Sequence, residues 1–379
     1  MTLFKGLTWD HPRGYNALAA AADDVRKATG SALIDWRKQP LEGFESHPIK
    51  DLADAHDLLV LDHPHLGEAA AYDRLLPLEE VFSSDEIEQW KKQSIGPAME
   101  SYIWQGHAYA LPLDVATQVS VRRPDLCPNR PDSWADVLAL AETGKVGLSL
   151  GGPHALLSFY SLCLSLGAEP GQDSLIDQST GLEALGILQS LYAHLDKSLV
   201  LLNPIQLLET MSREDRLGYI PLIYGYVTYS TPGQRPFQLA FGEAPHAGQG
   251  RRGSVLGGTG IALTKRCAPN DKLLDHLRWL MREPTQSTFI PRHDGQPSAL
   301  AAWADPEVNA AAGRFYLDTL ETASTAWVRP RFDGYIAFQN AASGIVRQTL
   351  AGEFDHGAAL DQIEIRWKHA RSIARGPLA

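Results

Sequence analysis

The run Leu58-Leu59-Val60-Leu61 constrains this chain more than any other stretch. It lies between the acidic segment Asp51–Asp57 and the polar loop Asp62-His63-Pro64-His65. Four consecutive apolar residues in that setting suit a strand buried on both faces, as in a parallel sheet covered by helices on each side. The preceding residues supply the neighbours such a strand needs. Leu3–Trp9 is a short apolar run, followed by a turn at Asp10–Gly14 and a helix pattern through Ala17–Ala28. Gly30 is placed to stop that helix, and Ser31–Trp36 reads as a second strand. Strand, helix, strand, helix, strand predicts an α/β fold with right-handed crossovers.

The character changes near residue 110. Trp104–Tyr109 reads as a hairpin, and Gln118–Arg122 and Val146–Leu150 as strands. Ser133 or Asp132 caps a helix that carries Asp136 in its first turn. Helix patterns follow at Leu156–Leu166 and Gly181–Leu195, then strand-like runs at Tyr219–Tyr229 and Val255–Leu263. Helices are predicted at Asp271–Arg282, Ala310–Ala323, Tyr335–Ala351 and Ala358–Ala370. With 379 residues, this order suggests two discontinuous lobes. The expected division is 1–110 plus about 255–305 for the first, and about 111–254 plus about 306–379 for the second. A cleft between lobes is the default place for a small-molecule site.

Several function classes are disfavoured. Thirty-four Lys and Arg against forty-five Asp and Glu leave a net charge of −11, which opposes a general nucleic-acid partner and binding to anionic lipid. Cys127, Cys163 and Cys267 have no metal-ligand spacing and read as buried thiols. No stretch of eighteen apolar residues occurs. The G-x-S-x-G, H-E-x-x-H and P-loop signatures are absent, and Gly258–Leu263 lacks the third glycine of a dinucleotide loop. No cofactor is expected. The N-terminus carries no secretory pattern, which leaves the cytoplasm, or the periplasm after loss of a leader.

Landmarks in order along the chain resemble the extracellular solute-binding proteins of family 1, the carbohydrate-type binding subunits of ABC importers. They are Lys27-Ala28-Thr29-Gly30, Asp57–Leu61 with its loop, Leu76-Pro77-Leu78-Glu79, Gln105–Pro112, Pro131–Val137, Ser254–Leu263, Val328-Arg329-Pro330-Arg331 and Leu350-Ala351-Gly352-Glu353. Val121–Leu126 departs from the pattern by lacking its Asn. The resemblance implies a two-lobe periplasmic-binding-protein fold of the class II type, a sugar, polyol or sugar-acid ligand, permease subunits as partners, and binding rather than catalysis. A monomer is expected. The rival reading is a leaderless cytoplasmic enzyme or sensor using the pairs Asp10–His11 and Asp62–His63.

Recognition of hydroxyls calls for planar groups that donate and accept, with aromatic rings over the apolar ligand face. The loop after the first strand offers Trp9, Asp10, His11, Arg13 and Tyr15, although Asp10 could instead cap the helix and Trp9 could be core. Asp62, His63 and His65 occupy the equivalent loop after the third strand; as a metal set they are incomplete. The resemblance points to Asp10, Asp62 and His63 as contacts to sugar hydroxyls, and to Asp114 as the acidic contact at the lobe crossover. From the second half come His154, Tyr224 and Tyr226, the last two on one face if the strand runs through both. Gly258 and Thr259 end a glycine-bearing loop. Arg329 and Arg331 could clamp a carboxylate or pair with Asp333 and Glu321. The surplus of His and Arg beside the acids hints at an anionic ligand.

Overall fold

A computed structural model describes residues 2–171, 174–248 and 251–374. Nine strands are present among them: β1 (Phe4–Trp9), β2 (Ile34–Gln39), β3 (Leu58–Leu61), β4 (Ile103–Trp104), β5 (His107–Ala108), β6 (Ala110–Arg122), β7 (Tyr219–Tyr224), β8 (Ala240–Gly242) and β9 (Leu256–Leu263). The main sheet has the order β2-β1-β3-β9-β6-β7, with β8 also on β6, and β4 and β5 form a separate hairpin. β1 runs parallel to β2 and β3, whereas β9 is antiparallel to β3 and β6.

The apolar run behaves as predicted. Leu58 and Val60 enter one hydrophobic cluster and Leu59 and Leu61 another, so β3 is buried on both faces. The first helix, Pro12–Thr29, ends on Gly30 at φ 73°, whose N–H donates to the Arg26 carbonyl. Ser133 caps Trp134–Ala141 in a reciprocal box with Asp136.

Four local expectations need correction. Gln118–Arg122 is the second half of one thirteen-residue strand, β6. Val146–Leu150 forms no strand; Val146 bridges Tyr219 and Leu150 N–H donates to Val200, so no single partner ladder exists. The run from Tyr219 ends at Tyr224, and Val227–Tyr229 is a 3-10 turn. The Ala310–Ala323 helix is broken, because Gly313 (φ 59°) and Arg314 (φ 66°) both adopt left-handed backbone.

β6 changes partners along its length. Residues 110–117 pair with β9, and residues 118–122 pair with β7 and β8. Three chain segments lie side by side at that change. Thr117 Oγ1 donates to the Val255 carbonyl, Ser254 Oγ donates to Gln118, and Leu256 N–H donates to Trp327. Gly258, at φ 106°, belongs to the same junction. A Cβ there would sit 2.2 Å from the Asp114 carbonyl, so only glycine allows β6 and β9 to approach.

Candidate functional site

Loops at the carboxyl ends of β1, β2 and β3 converge on this junction, as parallel-sheet geometry requires. Trp9 and Arg13 come from the first, Leu41, Phe44 and Glu45 from the helix Leu41–Ser46 after β2, and Asp62 and His65 from the third. Facing them are His154, at the start of the helix His154–Ser165, with Tyr224, Tyr226, Thr259 and Arg329. These side chains enclose two cavities of about 60 and 30 Å³. Glu45, Asp62, His154 and Tyr224 line both, so the two are neighbouring parts of one site.

Two buried ion pairs flank it. Arg13 forks onto Asp114, with Nε 2.8 Å and Nη2 2.5 Å from the carboxylate oxygens, and Nη1 donates to the Gly225 carbonyl at 3.0 Å. The guanidinium also lies 4.6 Å from the Tyr226 ring centroid. Burial opposes the Arg13 charge, yet Asp114 holds its pKa above the ordinary arginine value. Arg329 donates through Nη2 to Asp62 and through Nη1 to Gln339, and its backbone N–H donates to His63 Nε2. Burial alone would raise the Asp62 pKa, but the Arg329 charge and His63 hold it well below the usual carboxylate range.

The imidazoles are held neutral. Burial, then the Arg329 charge, lowers His154 to about 3. Burial also takes His65 and His63 to about 4, outweighing the opposing pull of Asp62. A neutral ring both donates and accepts, which suits a hydroxyl. The His65 ring is hydrogen-bonded to the backbone of Glu45 while its Nδ1 has no partner. His154 Nε2, Tyr224 Oη, Thr259 Oγ1 and Arg329 Nε are likewise buried without a partner. Trp9 Nε1 is a sixth. Buried polar groups are nearly always paired, so six around one small space mark it as unfinished.

The predicted residues divide into three groups. Trp9, Arg13, Asp62, His65, His154, Tyr224, Tyr226, Gly258, Thr259 and Arg329 line the cavities. Trp9 is both core and wall, its indole packed against Gly14. Asp114, His11 and His63 stand behind that lining. Asp114 anchors Arg13, His11 accepts the Arg13 N–H as helix cap and stacks on Trp9 at 5.1 Å, and His63 is enclosed beside Asp62. Asp10, Tyr15 and Arg331 are not brought to the site. Asp10 neither caps the helix nor faces the cleft; its side chain is 58% exposed and 2.6 Å from Lys38. Tyr15 lies under the same Lys38, and Arg331 is spent on the carbonyls of Glu100, Ser101 and Ile103. Neither arginine pairs as expected from sequence, since Glu321 is taken by Arg252. Among the described residues no group of three His, Cys, Asp or Glu could hold a metal.

Sequence reasoning missed Glu45, Phe44 and Gln339. The first two were within reach, since residues 40–46 follow β2 just as 10–15 follow β1. Gln339 lies mid-helix in Tyr335–Leu350 and left no local signal.

No protein-family model matches this chain, and no curated protein does. Solved structures match it over nearly its whole length. Maltose-bound MalE3 of T. maritima superposes with a TM-score of 0.81 at 16% identity, covering 97% of this chain and 99% of that one. A solute-binding protein of an ABC transporter from Agrobacterium radiobacter, in complex with ribitol, gives 0.79 at 16% identity, covering 97% and 98%. Another from Thermotoga lettingae, bound with α-D-tagatose, gives 0.81 at 14%, covering 98% and 100%. The chain therefore has the two-lobe periplasmic-binding-protein fold.

Proposed function

We propose that this chain binds a small polyhydroxylated solute (a sugar, polyol or sugar acid) between its lobes and delivers it to the permease of an ABC importer. The observation that carries this reading is the convergence of six unpartnered buried groups, Trp9 Nε1, His65 Nδ1, His154 Nε2, Tyr224 Oη, Thr259 Oγ1 and Arg329 Nε, on one site. Each such group costs about 1–3 kcal/mol when buried unpaired. Hydroxyls can satisfy all of them, because each hydroxyl both donates and accepts. Trp9, Phe44, Tyr224 and Tyr226 offer the apolar faces that sugar rings and carbon chains need. The maltose, ribitol and tagatose held by proteins of this fold are solutes of that kind.

The mechanism arises at the junction. We take the adjacent segments at Thr117–Gln118, Ser254–Leu256 and Trp327 as the hinge. A solute touching Asp62 and Glu45 on one side and His154 and Tyr224 on the other has its full contacts only when the cleft is shut. That differential affinity is what moves the equilibrium toward closure, and the closed form is what a permease would recognise. A thermal-shift screen tests the proposal: a sugar or polyol at millimolar concentration should raise the melting temperature. If sugars and polyols leave it unchanged while another class of metabolite raises it, the proposal falls.

A further inference from the structure

How large a solute the site admits follows from what bounds its two cavities, provided that the carbohydrate reading holds. The fold leaves size open, since one protein that shares it holds maltose and another ribitol. The cavities measure about 60 and 30 Å³. A water molecule needs about 10–15 Å³ of such space, so together they hold roughly six to nine waters. A six-carbon sugar or polyol has about twelve non-hydrogen atoms, bonded closer together than waters can approach, and fills that space. A disaccharide has nearly twice as many.

Three walls resist enlargement. The first is Arg13, bound to Asp114 and to the Gly225 carbonyl, with the Tyr226 ring against its guanidinium. Arg329, held by Asp62 and Gln339, forms the second. A solute that grows past either must break a buried ion pair and leave a charge without its partner. The third wall is apolar. Leu41 and Phe44, from the helix Leu41–Ser46, line the larger cavity with Pro204, the first residue of the helix Pro204–Arg213. Pro204 is buried whereas Leu41 and Phe44 are partly exposed, so the two side chains stand between the cavity and solvent. Phe44 is seated on Trp9, with ring centroids 5.8 Å apart, and the indole already fills the space beside Gly14. Removing the Phe44 ring would therefore open the site outward without breaking an ion pair.

We infer that the site encloses one sugar ring, or a polyol chain of up to about six carbons, and excludes disaccharides, with Phe44 and Leu41 setting the limit. The six unpartnered polar groups agree with that size, because one such solute carries about five or six hydroxyls to meet them.

The test compares a monosaccharide or polyol with disaccharides that contain it: glucose with maltose and cellobiose, galactose with lactose and melibiose, sorbitol with maltitol. Calorimetry on the full chain should show the smaller member of any binding pair favoured by about tenfold or more. Phe44→Ala should narrow that ratio severalfold, whatever it does to the affinity for the smaller solute, and Leu41→Ala gives the same reading if the first variant fails to fold. Equal or tighter binding of the disaccharide overturns the inference and leaves the carbohydrate reading standing. An unchanged ratio in both variants removes Phe44 and Leu41 as the limit. Silence from every sugar and polyol, with a different class of solute bound, overturns both.

Discussion

The two buried arginine–aspartate pairs share their chemistry and differ in how completely they are satisfied. Arg13 has three nitrogens engaged, two on Asp114 and one on the Gly225 carbonyl, and an aromatic ring beside its planar face. Arg329 meets Asp62 through one nitrogen, reaches Gln339 with a second, and leaves Nε without a partner. Around Arg13 one buried group, Trp9 Nε1, lacks a partner; around Arg329 the unpaired groups of His65, His154 and Tyr224 accumulate. Folding selects for complete pairing, because each missing partner costs stability. A site for a solute must leave some partners out. The contrast separates a pair that holds the first helix to the strand β6 from a pair beside which the proposed solute would sit.

The largest effect that could break this comparison is expected from acid. His63, His65 and His154 surround the incomplete pair, and His11 stands by the complete one. All are held neutral, His11 and His154 down to about 3 and His63 and His65 to about 4, against about 6.5 when free. A lowered folded-state pKa gives stability that is fully present above the unfolded value and lost as pH falls toward the folded one. Each unit of difference is worth about 1.4 kcal/mol per group. The melting temperature should therefore be level above pH 7 and drop steeply from about pH 6.5 to pH 4. The depressed Asp62 carboxylate adds to the loss below about pH 4. A melting temperature that stays level down to pH 4 would show that these rings are not held neutral.

Next in size is Arg13→Ala, which leaves the buried Asp114 carboxylate uncompensated. Urea denaturation should show a loss of about 3–5 kcal/mol. A loss below about 1 kcal/mol would mean that this pair is no more structural than the other. Asp62→Ala addresses the incomplete pair through its ligand. Calorimetry with a solute found by the thermal screen should show at least tenfold weaker binding, about 1.4 kcal/mol. An unchanged dissociation constant would remove Asp62 from the site. The smallest expected effect is also the sharpest. Tyr224→Phe deletes a hydroxyl without a protein partner, so stability should stay within about 0.5 kcal/mol while affinity falls severalfold. A clear destabilisation would reveal a partner for Oη and weaken the claim that the site is unfinished.

Legibility in the sequence tracks the range of the interactions involved. β3, the Gly30 stop and the Ser133 cap were legible, since four apolar residues, a left-handed glycine and a capping box are defined within a few positions. The loops after β1 and β3 were legible as cleft-facing through the same rule, although the side chains divided. Arg13 and Asp62 point inward, while Asp10 turns to Lys38 on the neighbouring strand β2. The broken Ala310–Ala323 helix was hidden for another reason. Its apolar spacing reads as continuous, and the left-handed pair Gly313 and Arg314 is held by packing against Ser230 and the bond from Arg314 N–H to Asn309.

By itself the sequence determined the alternation of strands and helices and the burial of β3, and it narrowed the cleft to the ends of the strands. Local periodicity and capping contain that information, because they act between residues a few positions apart. Only the tertiary structure decided which charges remain for a solute. Arg13 finds Asp114 across 101 positions and Arg329 finds Asp62 across 267, and those pairings turn what reads as a surplus of cations into buried ion pairs. Electrostatic partners are set by distance in space, and separation along the chain does not reveal them.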